Sequence, residues 1–180
     1  MTLPKAESYT IDDIYALPEG CRAELIDGRM YNMAVPSFAH QKLVHLFDRV
    51  IGNYIDARGG MCEVLPAPFA VFLNADDKNY VEPDLSVICD RDKIDERGCN
   101  GAPDWIIEIT SPSDPQRDYG IKLFKYRTAG VREYWIVDAD KTRVMVYNFY
   151  QDDMSEYSFT EDIPTGIYTD LSIRMSNLEL

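Results

Sequence analysis

Histidine and cysteine are scarce in this chain of 180 residues, which has two His (His40, His45) and four Cys (Cys21, Cys62, Cys89, Cys99). Neither set has the short paired spacing of a zinc site. The wide cysteine spacing reads instead as ordinary reduced thiols, in keeping with a reducing, cytoplasmic setting. Ten Gly and ten Pro are too few for a collagenous or low-complexity chain. No stretch approaches the ~18 consecutive apolar residues of a membrane helix, and Met1 to Thr10 lacks the apolar core of a signal peptide. The expectation is a cytoplasmic protein with no membrane partner. Basic residues are also in deficit: 18 Lys and Arg face 31 Asp and Glu, a net charge of −13 that repels nucleic acid at long range and argues against generic DNA coating. The deficit is uneven. Residues 116–134 hold five basic and two acidic side chains, whereas 151–162 hold five acidic and no basic ones, so a local basic face is compatible with the total.

What is present is a globular composition, with 46% hydrophobic, 27% charged and 12% aromatic residues. No repeat or long linker divides the chain, so a single domain over residues 1–180 is expected. Thr10 to Leu17 has a capping hydroxyl and two early acids, the signature of a short helix stopped by Pro18. Asp27-Gly28 between two short runs predicts a tight hairpin, with Glu24 on its first strand or at the helix-to-strand junction. Leu43, Phe47, Val50 and Tyr54 recur at helical period and predict the longest helix from Ser37 to about Ala57, closed by Gly59-Gly60. Strands are expected at 61–65, 69–73, 84–89, 105–110, 133–137 and 144–149, with short strand pieces in the tail from Tyr157. A second helix should open at Asp114 or Pro115 and end at Gly130. Together these predict an α/β (α+β) architecture, a mixed sheet of five or six strands flanked by helices.

The run Trp105-Ile-Ile-Glu-Ile-Thr110 reads as a buried strand, and Glu108 is the one ionisable residue in it. A lone buried acid is costly unless paired, hydrogen-bonded or metal-bound. Asp84 stands at the mouth of another apolar strand, directly after Pro83. Two acids converging from adjacent strand ends suit a hard divalent cation with positions left for water and phosphate. Glu24 would add charge to the same cluster, and Lys122, on the helix after the Glu108 strand, could aim its ammonium at a phosphate or an attacking water. The blander reading stays open on the residues alone: Asp118 and Lys122 make an ordinary i, i+4 pair, Glu24 caps an amide, and Asp84 marks a strand entrance.

Glu24-Leu-Ile-Asp-Gly28, Glu82-Pro-Asp-Leu-Ser86, Ile106-Ile-Glu-Ile-Thr-Ser-Pro-Ser113, the Asp118…Lys122…Tyr126 helix and Gly130-Val-Arg-Glu-Tyr-Trp-Ile-Val-Asp138 follow one another in this order. The series, covering residues 10–150, resembles a bacterial family of restriction-endonuclease type, abundant in cyanobacteria, within the PD-(D/E)xK nuclease superfamily. The resemblance implies a restriction-endonuclease-like αβββαβ core, with Pro83-Asp84 as the PD element and Glu108 as the second acid. It further implies Mg2+, with Mn2+ as a substitute, held by Asp84 and Glu108. Glu24 resembles the upstream acid of such sites. The chain departs at the lysine position two residues after Glu108, where Thr110 stands, and the resemblance implies a lysine moved to the next helix, Lys122. The expected activity is hydrolysis of nucleic-acid phosphodiesters, DNA foremost. A nuclease fold that binds or assembles without catalysis is the alternative, motivated by Thr110 and the negative charge.

His40 lies near the apolar stripe at the start of the long helix. A semi-buried packing role competes there with a role as catalytic base, and the resembling family often has a histidine at this position. His45 shares a face with Lys42 and Arg49 and is expected in solvent. For Tyr126, one turn from Lys122, contact with the substrate backbone competes with ordinary packing, which is the expectation, and Trp105 and Trp135 are expected to pack in the core. A nuclease-like core that cuts two strands suits two-fold symmetry, so a homodimer is expected.

Overall fold

The structure, a computed structural model, describes residues 8–110 and 117–176. Helix α1 (Ile11–Tyr15) starts where the sequence places it, with the Asp13 carboxylate accepting the Thr10 N–H at 2.7 Å. Strands β1 (Ala23–Ile26) and β2 (Arg29–Asn32) pair antiparallel around Asp27-Gly28. Both turn residues have positive φ, 50° and 73°, the backbone of the tight turn whose twist matches that of its strands. A Cβ at Gly28 would lie 2.2 Å from Ser8 Oγ. Gly28→Ala should therefore lower the unfolding free energy by about 1–2 kcal/mol, read as a urea midpoint, with Gly28→Asn milder because Asn tolerates this region.

Helix α2 (Phe38–Ala57) is capped by Ser37, whose hydroxyl accepts the His40 N–H. After it come β3 (Glu63–Pro66), β4 (Val71–Phe72), β5 (Leu85–Ile88), β6 (Ile94–Asp95), β7 (Gly98–Asn100) and β8 (Trp105–Ile109). A π-helical segment, Arg117–Lys122, then runs into α3 (Leu123–Ala129), which ends at Gly130 in the left-handed conformation. The expected start of this helix at Asp114 or Pro115 lies outside the described residues. Strands β9 (Glu133–Asp138), β10 (Arg143–Asn148) and β11 (Asp153–Ser158) follow, then the short pair β12 (Ile163–Pro164) and β13 (Ser172–Ile173). Six strands form one sheet in the order β11-β10-β9-β8-β5-β3, in which β8 and β9 are parallel and every other neighbouring pair is antiparallel. This is the mixed sheet with flanking helices that the sequence predicts.

Alternation along β8 divides its side chains between two cores. Trp105, Ile107 and Ile109 pack with Leu43, Phe47, Ile51 and Ile55 of α2 and with Trp135. Ile106 packs on the opposite face with Tyr126, Tyr134 and Ile136. Period two then puts Glu108 on the face of Ile106, toward α3. Trp105 and Trp135 are fully buried, their rings edge-to-face at 5.0 Å, as expected of core aromatics.

The cysteines depart from expectation. Cys62 and Cys89 form a disulfide, while Cys21 is exposed and free and Cys99 is buried and free. The reason is register: β3 pairs with β5 so that Glu63 faces Ile88, which sets the flanking cysteines opposite each other with their Cα atoms 3.9 Å apart. A spacing of 27 in sequence carries no sign of that register. Among the described residues no helix is long and apolar enough to cross a membrane.

Candidate active site

The antiparallel register that sets Leu85 against Ile107 carries Asp84, one residue outside β5, to the level of Glu108 near the end of β8. Asp84 Oδ2 accepts the Ile109 N–H at 2.8 Å and lies 3.0 Å from His40 Nε2. The inner face of the first turn of α2 thus meets the PD element directly. His40 Nδ1 is buried and has no hydrogen-bond partner among the described residues.

Glu24 reaches the same place from β1. Leu25 and Tyr80 exchange backbone hydrogen bonds of 2.7 and 2.8 Å, which dock the hairpin beside the segment leading to Asp84, and the Glu82 N–H donates to Glu24 Oε1 at 3.2 Å. Glu82 is itself fixed by Arg22 Nε at 2.8 Å and by the Tyr80 hydroxyl at 2.7 Å. Each residue of the Glu82-Pro83-Asp84 turn is thereby set against a named partner or by the proline ring.

Lys122 closes the cluster from the end of the π-helical segment. Its Nζ lies 2.8 Å from Glu108 Oε1, 2.9 Å from Glu24 Oε2 and 3.9 Å from Asp118 Oδ1. The approach to Glu24 is an ion pair without hydrogen-bond angles, so Glu24 Oε2 stays unsatisfied as an acceptor. Burial opposes the charge on Lys122, but Glu108, Glu24 and Asp118 outweigh it and hold its pKa above the ordinary lysine value. Burial raises the Glu108 carboxyl above its usual range, Lys122 draws it back down, and Asp84, Glu24 and Asp118 push it further up. The Tyr126 hydroxyl donates to Glu108 Oε1 at 2.6 Å.

The five residues singled out in the sequence therefore fall into two linked groups, His40–Asp84 and Glu24–Lys122–Glu108, whose carboxylates meet at neighbouring strand ends. Thr110 takes no part; its hydroxyl faces the Val137 carbonyl at 3.4 Å. Two members escaped the sequence reading. Asp118 is 5% exposed, so its i, i+4 pair with Lys122 is part of the buried cluster, and Tyr126 is a buried donor as well as a core ring. Their signal was present in the 118, 122, 126 spacing, which lays three polar groups on one helical stripe.

Asp118 makes the electrostatics of this cluster measurable. Burial raises its pKa to about 6, with Lys122 and Arg117 lowering it and Glu24 and Asp84 raising it. A carboxyl raised in the folded state favours folding fully below its unfolded pKa, near 4, and loses that contribution as pH climbs through about 6. Asp118→Asn should match wild type at pH 4 and exceed it by about 2 kcal/mol at pH 7.5, in urea unfolding with chelator present.

The carboxylates suit a hard cation by donor chemistry and by charge: Glu24, Glu108 and Asp118 surround one ammonium, Asp84 lies at the level of Glu108 on the neighbouring strand, and among the described residues Asp84 Oδ1 and Glu108 Oε2 take no hydrogen bond. Among the described residues no three His, Cys, Asp or Glu groups gather closely enough to form a complete metal-ligand set. An ion here would draw on two carboxylates and fill its remaining positions with water and phosphate, the habit of Mg2+.

Comparison with known proteins agrees with this architecture. A crystal structure of a putative nuclease belonging to DUF820 from Anabaena variabilis superposes with a TM-score of 0.75 over 93% of this chain and 96% of that one, at 22% identity, and so shares the fold. An uncharacterized protein of Synechocystis sp. is 28% identical over 127 residues, 69% of this chain; the chain spans 65% of that relative's length. The Uma2 family model, described as a putative restriction endonuclease, matches residues 11–171, a span that takes in Glu24, His40, Asp84, Glu108 and Lys122. With the match extending over nearly the whole chain, the protein belongs to the Uma2 family and has a restriction-endonuclease-like fold.

Proposed function

We propose that this chain is a divalent-metal-dependent nuclease that hydrolyses phosphodiester bonds in nucleic acid, DNA foremost. The observation that carries the reading is the contact of Lys122 Nζ with Glu108 and Glu24 across 2.8 and 2.9 Å, which supplies from a helix the ammonium that Thr110 cannot supply from the strand. Asp84 and Glu108 would hold Mg2+, or Mn2+ in its place. The ion, when bound, would polarise a phosphoryl oxygen and lower the pKa of water. The chain's own residues do the rest. Lys122 offers positive charge where the phosphorane-like transition state gathers negative charge, and its buried pairing fixes the ammonium before substrate arrives. His40 orients Asp84 through Nε2. Tyr126 and Lys122 both occupy Glu108 Oε1, which orients that carboxylate.

The test is incubation of the purified chain with plasmid, single-stranded DNA and RNA in Mn2+, in Mg2+ and in chelator. Strand scission that needs the ion and stops in chelator is expected. Intact substrates in all metal conditions would contradict the proposal.

A further inference from the structure

Glu24 is fully buried, and among the described residues its carboxylate accepts one hydrogen bond, from the Glu82 N–H to Oε1 at 3.2 Å; the Lys122 ammonium meets Oε2 as charge alone. The direction of that carboxylate therefore depends on how the peptide between Val81 and Glu82 is held. On one side of it, Val81 exchanges backbone hydrogen bonds of 2.8 and 3.0 Å with Val71. On the other, the Glu82 side chain is gripped at both oxygens. Oε2 accepts from Arg22 Nε at 2.8 Å and from its Nη2, and Oε1 accepts from the Tyr80 hydroxyl at 2.7 Å. Tyr80 is anchored in turn, its ring edge-to-face with Phe72 at 5.6 Å and its backbone bonded to Leu25. Arg22 and Glu24 thus stand two apart on the segment entering the hairpin, and both contact Glu82 on the other. Glu82 is 7% exposed, a further carboxylate two residues before Asp84. A buried ion pair is weak ground for stability, because apolar side chains of similar volume often do as well or better. What this one supplies is direction.

We infer that Arg22, Glu82 and Tyr80 are positioning residues of the active site: their grip fixes the N–H that orients Glu24 and sets the run through Pro83 to Asp84. The inference rests on the nuclease reading and deepens it, since the three residues act there only through Glu24 and Asp84. The proline ring carries the effect forward. It locks its own φ and restricts the residue before it, so Glu82-Pro83-Asp84 moves as a stiff unit. At the far end, Asp84 Oδ2 is tied to the Ile109 N–H and to His40, so the direction of the remaining oxygen follows the backbone that Glu82 holds. Losing the grip would let Glu24 turn from Lys122 and let Asp84 drift from the level of Glu108. Partners one step behind the groups that hold an ion commonly act in this way.

The experiment compares wild type, Glu82→Leu, Glu82→Gln and Tyr80→Phe as full chains. Calorimetric titration with Mn2+ gives the affinity for the ion, and kcat and KM are measured on whichever of plasmid, single-stranded DNA and RNA wild type cuts. Both substitutions at position 82 remove the same negative charge, but only the amide can still accept from Arg22 and bond to the Tyr80 hydroxyl. A difference between them therefore reports the hydrogen bonds and not the charge. Glu82→Leu should bind Mn2+ at least about tenfold more weakly and lose at least about tenfold in kcat at an unaltered KM. Glu82→Gln should recover most of both losses. Tyr80→Phe keeps the ring against Phe72 and removes one donor, and should shift both quantities the same way by less. Melting curves show which proteins fold. If Glu82→Leu does not, Tyr80→Phe decides, and wild-type affinity and kcat in it overturn the inference. Equal affinity and kcat in the two position-82 variants, or a Glu82→Leu protein that merely melts lower, overturns the positioning role alone. A wild type that binds Mn2+ but cuts nothing sinks the nuclease reading, while the affinities still decide the positioning. A wild type that binds no Mn2+ overturns both.

Discussion

Replacing Lys122 by methionine should destabilise the metal-free protein by about 3–5 kcal/mol at pH 7.5, because it strands buried carboxylates without their counter-ion. The side chain is 3% exposed and its ammonium is shared among Glu108, Glu24 and Asp118. Methionine is close in volume to the lysine stem, so packing changes little and the loss reports charge. The pH dependence fixes the cause. Glu108 and Asp118 already have raised pKa values with Lys122 present, and removing the ammonium raises them further. Carboxyls of this kind cost stability as pH rises through their folded pKa, so the deficit of the variant should shrink toward pH 5, where they take up protons. A Lys122→Met protein as stable as wild type at pH 7.5 would show that the cluster is not assembled as described.

Asp84→Asn and Glu108→Gln should each lower the rate of ion-dependent cleavage by at least about a thousandfold, in line with the several kcal/mol that a catalytic cation contributes. Both substitutions keep shape and change charge. The amide oxygen introduced at position 84 could still accept from the Ile109 N–H, and the one at position 108 from Lys122 and Tyr126, so the fold should survive, and melting curves verify that it does. A merely structural role for these acids would instead leave cleavage unaltered in the folded variants. The two effects should not add in the double variant, since either change alone disables the pair that is proposed to hold the ion.

The parts of this fold that were legible in the sequence are those fixed by local physics. The Asp27-Gly28 turn follows from two positive φ values, α2 from a 3.6-residue apolar period, and the burial of Glu108 from its place inside a β-branched run. The displacement of the lysine from position 110 to Lys122 came from a family resemblance, and in the fold Lys122 Nζ lies against Glu108. What was not legible depends on register or on distant loops. The Cys62–Cys89 bridge requires knowing that Glu63 faces Ile88. The role of Glu133, buried to accept the Gly166 and Ile167 N–H groups and the Trp135 indole, joins a strand to the tail across more than thirty residues. Asp118 read as half of an ordinary i, i+4 pair because that spacing says which residues meet and nothing about whether water meets them too. Basic residues misled in the same way: the count over 116–134 was correct, but Asp27, Asp152 and Asp104 come from elsewhere to neutralise it.

The proposed chemistry turns on Asp84 and Glu108 together holding a divalent ion beside Lys122. The most direct measurement is the melting temperature of wild type, Asp84→Asn and Glu108→Gln as Mn2+ is raised to millimolar concentration, because a ligand that binds only the folded state stabilises it, and more so the tighter it binds. The expected result is a rising melting temperature in wild type and a flat one in both variants. A flat curve in wild type, or an equal rise in all three proteins, would contradict it.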